Sequence, residues 1–265
     1  MQQFTEVQVK RLFWGTCVVV LALAAGSFAQ GTKWTGFYVG INAGSAGGTS
    51  HATTTTIFSP TGYFATTSPP AIAIAGAQRL RPRGFSGGGQ VGFNFQMSHF
   101  VLGGETDFGA MDMNDSRVSS GIYPCCVTTG FTVRQSVRTN WLFTARPRVG
   151  VTLGPVLVYG TGGWAMTHTN YNALFIDTFA TAHENALVKK NLTAGTFGGG
   201  AEVHFTKRWS LKGEYLYANF GTVSTTSTNL TAKFGSTVIA FPTNVFTHSD
   251  DLNMHLFRAG VNFRF

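Results

Sequence analysis

The chain has 265 residues, of which 33 are glycine and 24 are phenylalanine, and only 11% carry a charged side chain. This composition is unusual for a soluble globular protein and points to closed β-sheets. The net charge of +8 raises nucleic acid as a partner, but the chain has no long run of like charges and no nucleic-acid-binding motif, so an anionic membrane surface fits better.

The N-terminus has the pattern of a cleaved signal peptide over residues 1–29. Lys10 and Arg11 precede an apolar run, and Ser27 and Ala29 form a small-x-small cleavage site. The mature domain is therefore predicted to cover residues 30–265. No later stretch has the roughly 18 uninterrupted apolar residues of a membrane helix, so a mature chain that spans a membrane must do so as a β-barrel.

Eight segments of the mature chain alternate between apolar and polar side chains with a period of two residues, which predicts β-strands. Three short turns, at 97–99, 152–155 and 206–208, alternate with four long loops. This asymmetry is typical of bacterial barrels, whose turns are periplasmic and whose loops are extracellular. The predicted strands cover 34–44, 85–96, 100–111, 136–151, 156–167, 193–205, 209–220 and 252–265, and the predicted loops cover 45–84, 112–135, 168–192 and 221–250.

The predicted strands place charged residues opposite their apolar face, as a polar lumen requires. The fifth strand alternates least clearly, and its facing stays open. In the fourth strand the apolar face holds Val137, Trp141, Phe143 and Val149, and the polar face holds Arg138, Asn140, Thr144, Arg146 and Arg148.

The last predicted strand ends on an aromatic residue. Its apolar face holds Phe257, Ala259, Val261, Phe263 and Phe265, and its polar face holds Arg258, Gly260, Asn262 and Arg264. A terminal strand of this kind resembles the C-terminal signal by which bacterial outer-membrane barrels are recognised for assembly. That resemblance implies a contact between the assembly machinery and Phe257, Val261, Phe263 and Phe265.

Five segments carry a resemblance to a known family: Trp34-Thr-Gly-Phe-Tyr-Val-Gly, Leu102-Gly-Gly-Glu-Thr-Asp-Phe, Tyr159-Gly-Thr-Gly-Gly-Trp-Ala, Leu211-Lys-Gly-Glu-Tyr-Leu-Tyr and Val261-Asn-Phe-Arg-Phe. They look like the small outer-membrane barrels often called porin-family or outer-membrane immunogenic proteins, which are similar to the barrel domain of outer-membrane protein A and to the opacity proteins. The resemblance covers nearly the whole mature chain. It implies an all-β fold, an eight-stranded antiparallel up-and-down barrel in the outer membrane of a Gram-negative bacterium.

Eight charged residues on the inward parity fall in the lower, periplasmic half of the predicted barrel. Neighbouring strands supply opposite signs at similar heights, which predicts the pairs Glu105 with Arg146, Glu202 with Lys212, and Glu214 with Arg258. The barrel interior would then be filled by side chains and conduct little. The predicted lumen charge layer consists of Glu105, Asp107, Arg146, Arg148, Glu202, Lys212, Glu214 and Arg258.

Arg79, Arg81 and Arg83 share the outward parity of Phe85. If the second strand extends upward, they face the anionic headgroups of lipopolysaccharide, because the Arg fork donates two hydrogen bonds to phosphate. Pro82 can break the strand, in which case the three side chains belong to a solvated loop.

Chemical motifs in the chain are weak. Gly87, Gly89 and Gly92 match a dinucleotide fingerprint but lie inside a strand rather than before a helix. We assign no catalytic residue, no cofactor and no metal ligand. An outer-membrane enzyme stays an alternative class, with His248 beside Asp250 and Asp251 as its candidates.

Cys125 and Cys126 are adjacent, and the redox state of this pair stays open. A soluble lipocalin-like barrel, with apolar residues inside, is a further alternative for the fold. The functional expectation is a monomeric, surface-exposed structural barrel that contributes to envelope integrity, and the alternative is a passive-diffusion porin.

Overall fold

The computed structural model describes residues 33–126 and 128–265, so the predicted signal peptide lies outside the described residues. No helix in the described residues has the length and hydropathy of a transmembrane helix. In chain order the elements are β1 Gly36–Thr56, α1 Ser68–Gly76, β2 Gln78–Leu80, β3 Arg83–Met97, β4 Phe100–Ile122, β5 Gly130–Leu153, β6 Val156–Asp177, β7 His183–His204, β8 Trp209–Ser227, β9 Thr231–Phe234, β10 Thr237–Ala240 and β11 Phe246–Arg264.

Eight of these strands close into an antiparallel ring in the order β1, β3, β4, β5, β6, β7, β8 and β11. The first and last strands pair along their whole length, from Tyr38 opposite Arg264 to Thr56 opposite Phe246. β7 and β8 pair only in their lower halves, up to Gly195 opposite Asn219. The ring confirms the predicted eight-stranded up-and-down barrel.

Large apolar side chains cover the outside of the lower half of the barrel. Phe37, Ile41 and Phe108 are 67%, 70% and 60% exposed, whereas the alternate residue Tyr38 is buried. A soluble lipocalin would place its apolar face inside. The apolar exterior is the arrangement of a membrane barrel, and the soluble alternative is therefore wrong.

The strands extend far above their predicted upper ends. β1 continues beyond Gly44 to Thr56, and β4 continues beyond Met111 to Ile122. These upper parts are rich in Thr, Ser and Asn and lack an apolar face, so alternation could not mark them, although their backbones still pair across the ladder. The predicted bounds of the four loops are therefore too wide, and the upper connections contract to 57–82, 123–129, 178–182 and 228–245, of which the first and the last stay long.

A β-bulge in β5 reverses the facing of one predicted segment. The register of β5 against β6 shifts between Thr139 and Leu142. As a result Val137 points into the barrel and Arg138 points outward, opposite to the prediction for this strand. Asn140 is also exposed. One extra residue inverts every side chain on the far side of a bulge.

The strand that the sequence left open, β6, keeps one parity throughout. Leu157, Tyr159, Tyr171 and Phe175 are buried inside, and Trp164 lies outside. The inward face of β6 carries large apolar residues at both ends of the strand. The sequence contrast between the inward and the outward face of β6 is therefore weak.

A cap covers the upper end of the ring, and we define it as residues 57–77, 123–126, 128–129, 178–182 and 228–245. It includes α1, β9 and β10. An apolar cluster joins the cap to the strand ends beneath it; its large members are Phe64, Ile72, Tyr123, Phe131, Phe175, Leu230 and Phe246.

Candidate functional site

The charge layer in the lower lumen is the strongest candidate site. It contains four carboxylates and four cations on inward positions of β4, β5, β7, β8 and β11. Their side chains are between 0% and 3% exposed. The members are Glu105, Asp107, Glu202 and Glu214 with Arg146, Arg148, Lys212 and Arg258.

Asp107 and Glu105 anchor one side of the charge layer. Asp107 lies 2.8 Å from Arg146 Nη2 and 2.8 Å from Arg258 Nη1. Glu105 accepts hydrogen bonds from Arg146 Nη2 at 2.9 Å and from Lys212 Nζ at 2.7 Å. The structure thus brings together the predicted partners Glu105 and Arg146, and each cation is shared between carboxylates.

The other side of the layer departs from the predicted pairs at one point. Glu214 contacts Arg258 Nη2 at 2.6 Å, as predicted from the spacing. Glu202 stands opposite Lys212 in register, yet its carboxylate contacts Arg148 Nη1 at 3.1 Å instead. The long Lys212 side chain reaches across the lumen to Glu105, which strand register alone does not reveal.

Two tyrosines complete the charge layer, and sequence reasoning missed both. Tyr38 donates to Glu105 at 2.8 Å, and Tyr159 donates to Glu214 at 3.0 Å. The Arg148 guanidinium lies 4.8 Å and 5.1 Å from the centroids of their two rings, within the range of cation–π attraction. In the sequence, Tyr38 alternates with the apolar residues Phe37 and Val39, and this alternation is the signal that could have placed its side chain in the lumen.

Apolar layers enclose the charge layer on both sides. Below it, at the periplasmic end, Trp34, Val101 and Leu157 pack beside Tyr159. Above it, thirteen buried residues from the ring form a cluster whose large members are Met111, Met113, Leu142, Leu192, Leu216, Phe220, Leu252, Met254 and Leu256. The lumen charges are therefore separated from water by packed side chains in both directions.

A second polar layer lies above this apolar cluster. His248 Nε2 is 3.1 Å from Glu184 Oε1, and His248 Nδ1 is 2.9 Å from Thr54 Oγ1. Gln135 accepts from Tyr171 at 2.5 Å and donates to the Gly76 carbonyl at the end of α1 at 2.7 Å. This network ties the upper lumen to the cap.

The candidate residues of the enzyme alternative do not form one site. His248 is fully buried and contacts Glu184 rather than Asp250. Asp250 accepts from Ser50, and Asp251 faces His51 at 3.7 Å on the outside of the strand. The three residues that the sequence grouped therefore belong to three separate contacts.

Asp177 links three segments of the cap. Its carboxylate accepts from Tyr63 at 2.6 Å, from Tyr123 at 3.1 Å and from the Ala182 amide at 2.8 Å. Burial, and then the hydrogen bond to Asp177, raise the pKa of the Tyr63 phenol well above its ordinary value. Burial and the charge of Asp177 raise the pKa of Tyr123 in the same direction.

A family model described as "Outer membrane protein beta-barrel domain" matches residues 15–265. The chain is 31% identical over 235 residues to a 31 kDa outer-membrane immunogenic protein of Brucella melitensis, covering 88% of this chain and 84% of that protein. A protein of the same description from Brucella suis matches equally.

The chain belongs to the outer-membrane β-barrel family. Its location is the outer membrane of a Gram-negative bacterium. Among solved structures it is similar to the outer-membrane protease OmpT of Escherichia coli, with 10% identity, a TM-score of 0.42, and 90% and 98% of the two chains covered. It is also similar to the N-terminal β-barrel domain of Pseudomonas aeruginosa OprF, with 12% identity, a TM-score of 0.32, and 86% of this chain and 97% of that chain covered.

The remaining candidate residues of this outer-membrane barrel lie on its surface. Arg79, Arg81 and Arg83 are all exposed, but Arg79 pairs with His51 through β2 and the Arg81 amide donates to Asp115, so the three do not follow one straight strand. Of the residues of the predicted assembly signal, Phe257 and Phe265 are 60% and 74% exposed on the outer face. The lipopolysaccharide and assembly contacts stay predictions.

Cys125 and Cys126 are joined by a disulfide at the rim of the cap. Within residues 33–126 and 128–265, no group of three or more His, Cys, Asp or Glu side chains is arranged to hold a metal ion.

Proposed function

We propose that the protein is a closed structural barrel that stiffens the outer membrane and displays its cap at the cell surface. The observation that supports this is the charge layer, in which four carboxylates and four cations fill the cross-section with side chains at most 3% exposed. An eight-stranded barrel has an interior only about wide enough for side chains. The apolar layers and the cap add further barriers, so small solutes pass slowly at most.

Conductance in planar bilayers tests the closed lumen. We expect very small or no steady current from the wild type. Glu214→Ala and Arg258→Ala should each raise the current, because each removes a side chain and breaks the 2.6 Å contact in the layer. Heat-modifiable migration on a gel verifies that each variant is folded, and large, stable wild-type currents would contradict the proposal.

A passive-diffusion porin is the alternative function. It would require the charged groups to exchange partners, and Arg146 already lies within 3.1 Å of Glu105, Asp107 and Glu214. Solute-dependent currents in the wild type would favour this alternative. The closed barrel is favoured because every cation of the layer lies within 3.1 Å of at least one carboxylate.

Assembly and envelope support belong to the same proposal. The monomer would be recognised for assembly through the outward aromatic residues of β11 and through Phe265, which follows it. Deleting Phe265 should therefore lower the amount of folded barrel in the outer-membrane fraction.

Envelope support is tested with a strain that lacks the protein. This strain should become more sensitive to detergent, and the wild-type chain should restore resistance. Unchanged detergent sensitivity in that strain would contradict the structural role.

A further inference from the structure

A row of polar residues crosses five neighbouring strands on the outside of the barrel. Arg83 of β3 stands opposite Asn114 of β4, which stands opposite Arg138 of β5. Arg138 in turn stands opposite Asn170 of β6, which stands opposite Lys189 of β7. Paired strands are roughly 4.8 Å apart, so a cation occurs about every 10 Å along this row. We call these five residues the outer ladder.

The outer ladder lies above the apolar band of the barrel, directly above it on β3 and farther above it on β7, where Asn191 and Thr193 lie between Phe197 and Lys189. Arg83 is the next outward residue above Phe85, which is 62% exposed. On β5, Arg138 lies above Trp141 with the exposed Asn140 of the bulge between them, and the Arg138 side chain is 63% exposed. The row therefore begins where hydrocarbon gives way to headgroups and continues into the headgroup region on the extracellular side.

The charge of the outer ladder is only partly neutralised. Arg138 contacts Asp112 at 3.1 Å, but Asp112 is itself 63% exposed. Among the residues that the structure describes, Arg83 and Lys189 form no ion pair, and both are exposed. Amide side chains at Asn114 and Asn170 lie between the cations and can donate hydrogen bonds to anionic oxygens.

We infer that the outer ladder binds the phosphorylated headgroup of an outer-leaflet lipid, with lipopolysaccharide as the ligand. Arg and Lys side chains at a membrane surface attract anionic lipid, and the planar Arg fork matches phosphate oxygens. This site crosses the strands, whereas the row predicted from the sequence ran along one strand through Arg79, Arg81 and Arg83. The inference is independent of whether the lumen conducts.

Binding of purified lipopolysaccharide to the folded full chain in neutral detergent tests the inference. The double variant Arg83→Gln with Lys189→Gln removes two unpaired cations of the ladder. We expect its binding to be roughly 10-fold to 30-fold weaker than that of the wild type, from the attraction of each cation at an anionic surface. Lipopolysaccharide stripped of its phosphates should bind the wild type as weakly as the variant binds the intact lipid.

The chain provides a matched control at the opposite membrane face. Lys207→Gln with Arg208→Gln also removes one Lys and one Arg, from an exposed periplasmic turn, and should leave binding unchanged. Equal losses in both double variants would show a response to total charge and overturn the site, as would no loss in the ladder variant. Full competition by inorganic phosphate would identify a free-anion site and overturn the lipid assignment. Heat-modifiable migration confirms that both variants are folded.

Discussion

Asp107 joins two cations of the charge layer, because it contacts Arg146 and Arg258, and it also accepts a hydrogen bond from Thr144. Replacing Asp107 with Ala leaves two buried guanidinium groups short of a carboxylate. Removal of one partner of a buried pair typically costs about 3 to 5 kcal/mol. We expect Asp107→Ala to lower the free energy of unfolding by roughly that amount, measured by urea titration in detergent micelles with gel mobility as the readout.

The matched control for this substitution is Asp112→Ala. Asp112 also contacts an arginine, Arg138 at 3.1 Å, but both side chains are 63% exposed. Exposed pairs contribute about 0 to 1 kcal/mol. Similar losses for the two variants would show that burial of the charge layer is not what stabilises it.

Close backbone approach leaves no room for a side chain at some barrel glycines, whereas other glycines have room for one. A Cβ at Gly198 would collide with the Tyr215 carbonyl oxygen, whereas a Cβ at Gly213, on the neighbouring strand, would meet nothing within 4 Å. Gly198→Ala should therefore lower the yield of folded barrel, and Gly213→Ala should leave it near the wild-type level. Densitometry of the heat-modifiable band after refolding measures both, and equal yields would contradict the close approach of β7 and β8.

The bulge in β5 determines which side chains in the upper part of this strand face outward. In a background with Cys125→Ser and Cys126→Ser, Arg138→Cys should react with a membrane-impermeant thiol reagent on whole cells. Val137→Cys should not react, because Val137 is 1% exposed inside the barrel. Labelling of residue 137 but not 138 would show that Val137 faces outward and Arg138 inward, as predicted from the sequence, and would contradict the bulge.

The cap should open at alkaline pH. The folded-state pKa values of Tyr63 and Tyr123 lie above the ordinary value near 10, so the contribution of these phenols is fully present below about pH 10 and declines as pH rises beyond it. Limited proteolysis of the cap should therefore accelerate above about pH 10. A variant with Tyr63→Phe and Tyr123→Phe should lose this acceleration, and the same pH profile in wild type and variant would contradict the role of Asp177.

The sequence predicted the lower half of the barrel well because the membrane imposes an apolar outer face there. Phe37, Phe108 and Phe257 alternate with polar neighbours for that reason, and parity alone placed Glu105 and Arg146 inside. The upper parts of β1 and β4 are rich in Thr, Ser and Asn and lack an apolar face, so their pairing was not visible. Neither the extra residue near Thr139 nor the reach of Lys212 to Glu105 has a sequence signal.

At the scale of the whole molecule, alternating layers close the barrel from the periplasm to the cap. Trp34 and Leu157 fill the bottom, the charge layer follows, and the methionine-rich apolar cluster with Met113 and Met254 lies above it. The network of His248 and the aromatic cap complete the stack. The folded barrel should therefore remain compact in cold detergent and migrate faster than the boiled chain, and a single heat-independent band from inserted protein would contradict this architecture.

Swelling of proteoliposomes in isotonic arabinose tests the closed lumen most directly, because an uncharged sugar reports an open path without dependence on charge selectivity. We predict that liposomes containing the wild-type barrel swell no faster than protein-free liposomes. Liposomes with Glu214→Ala and Arg258→Ala combined should swell measurably faster. Rapid swelling with the wild type, with rates that rise as the sugar becomes smaller, would show an open pore and contradict the closed barrel.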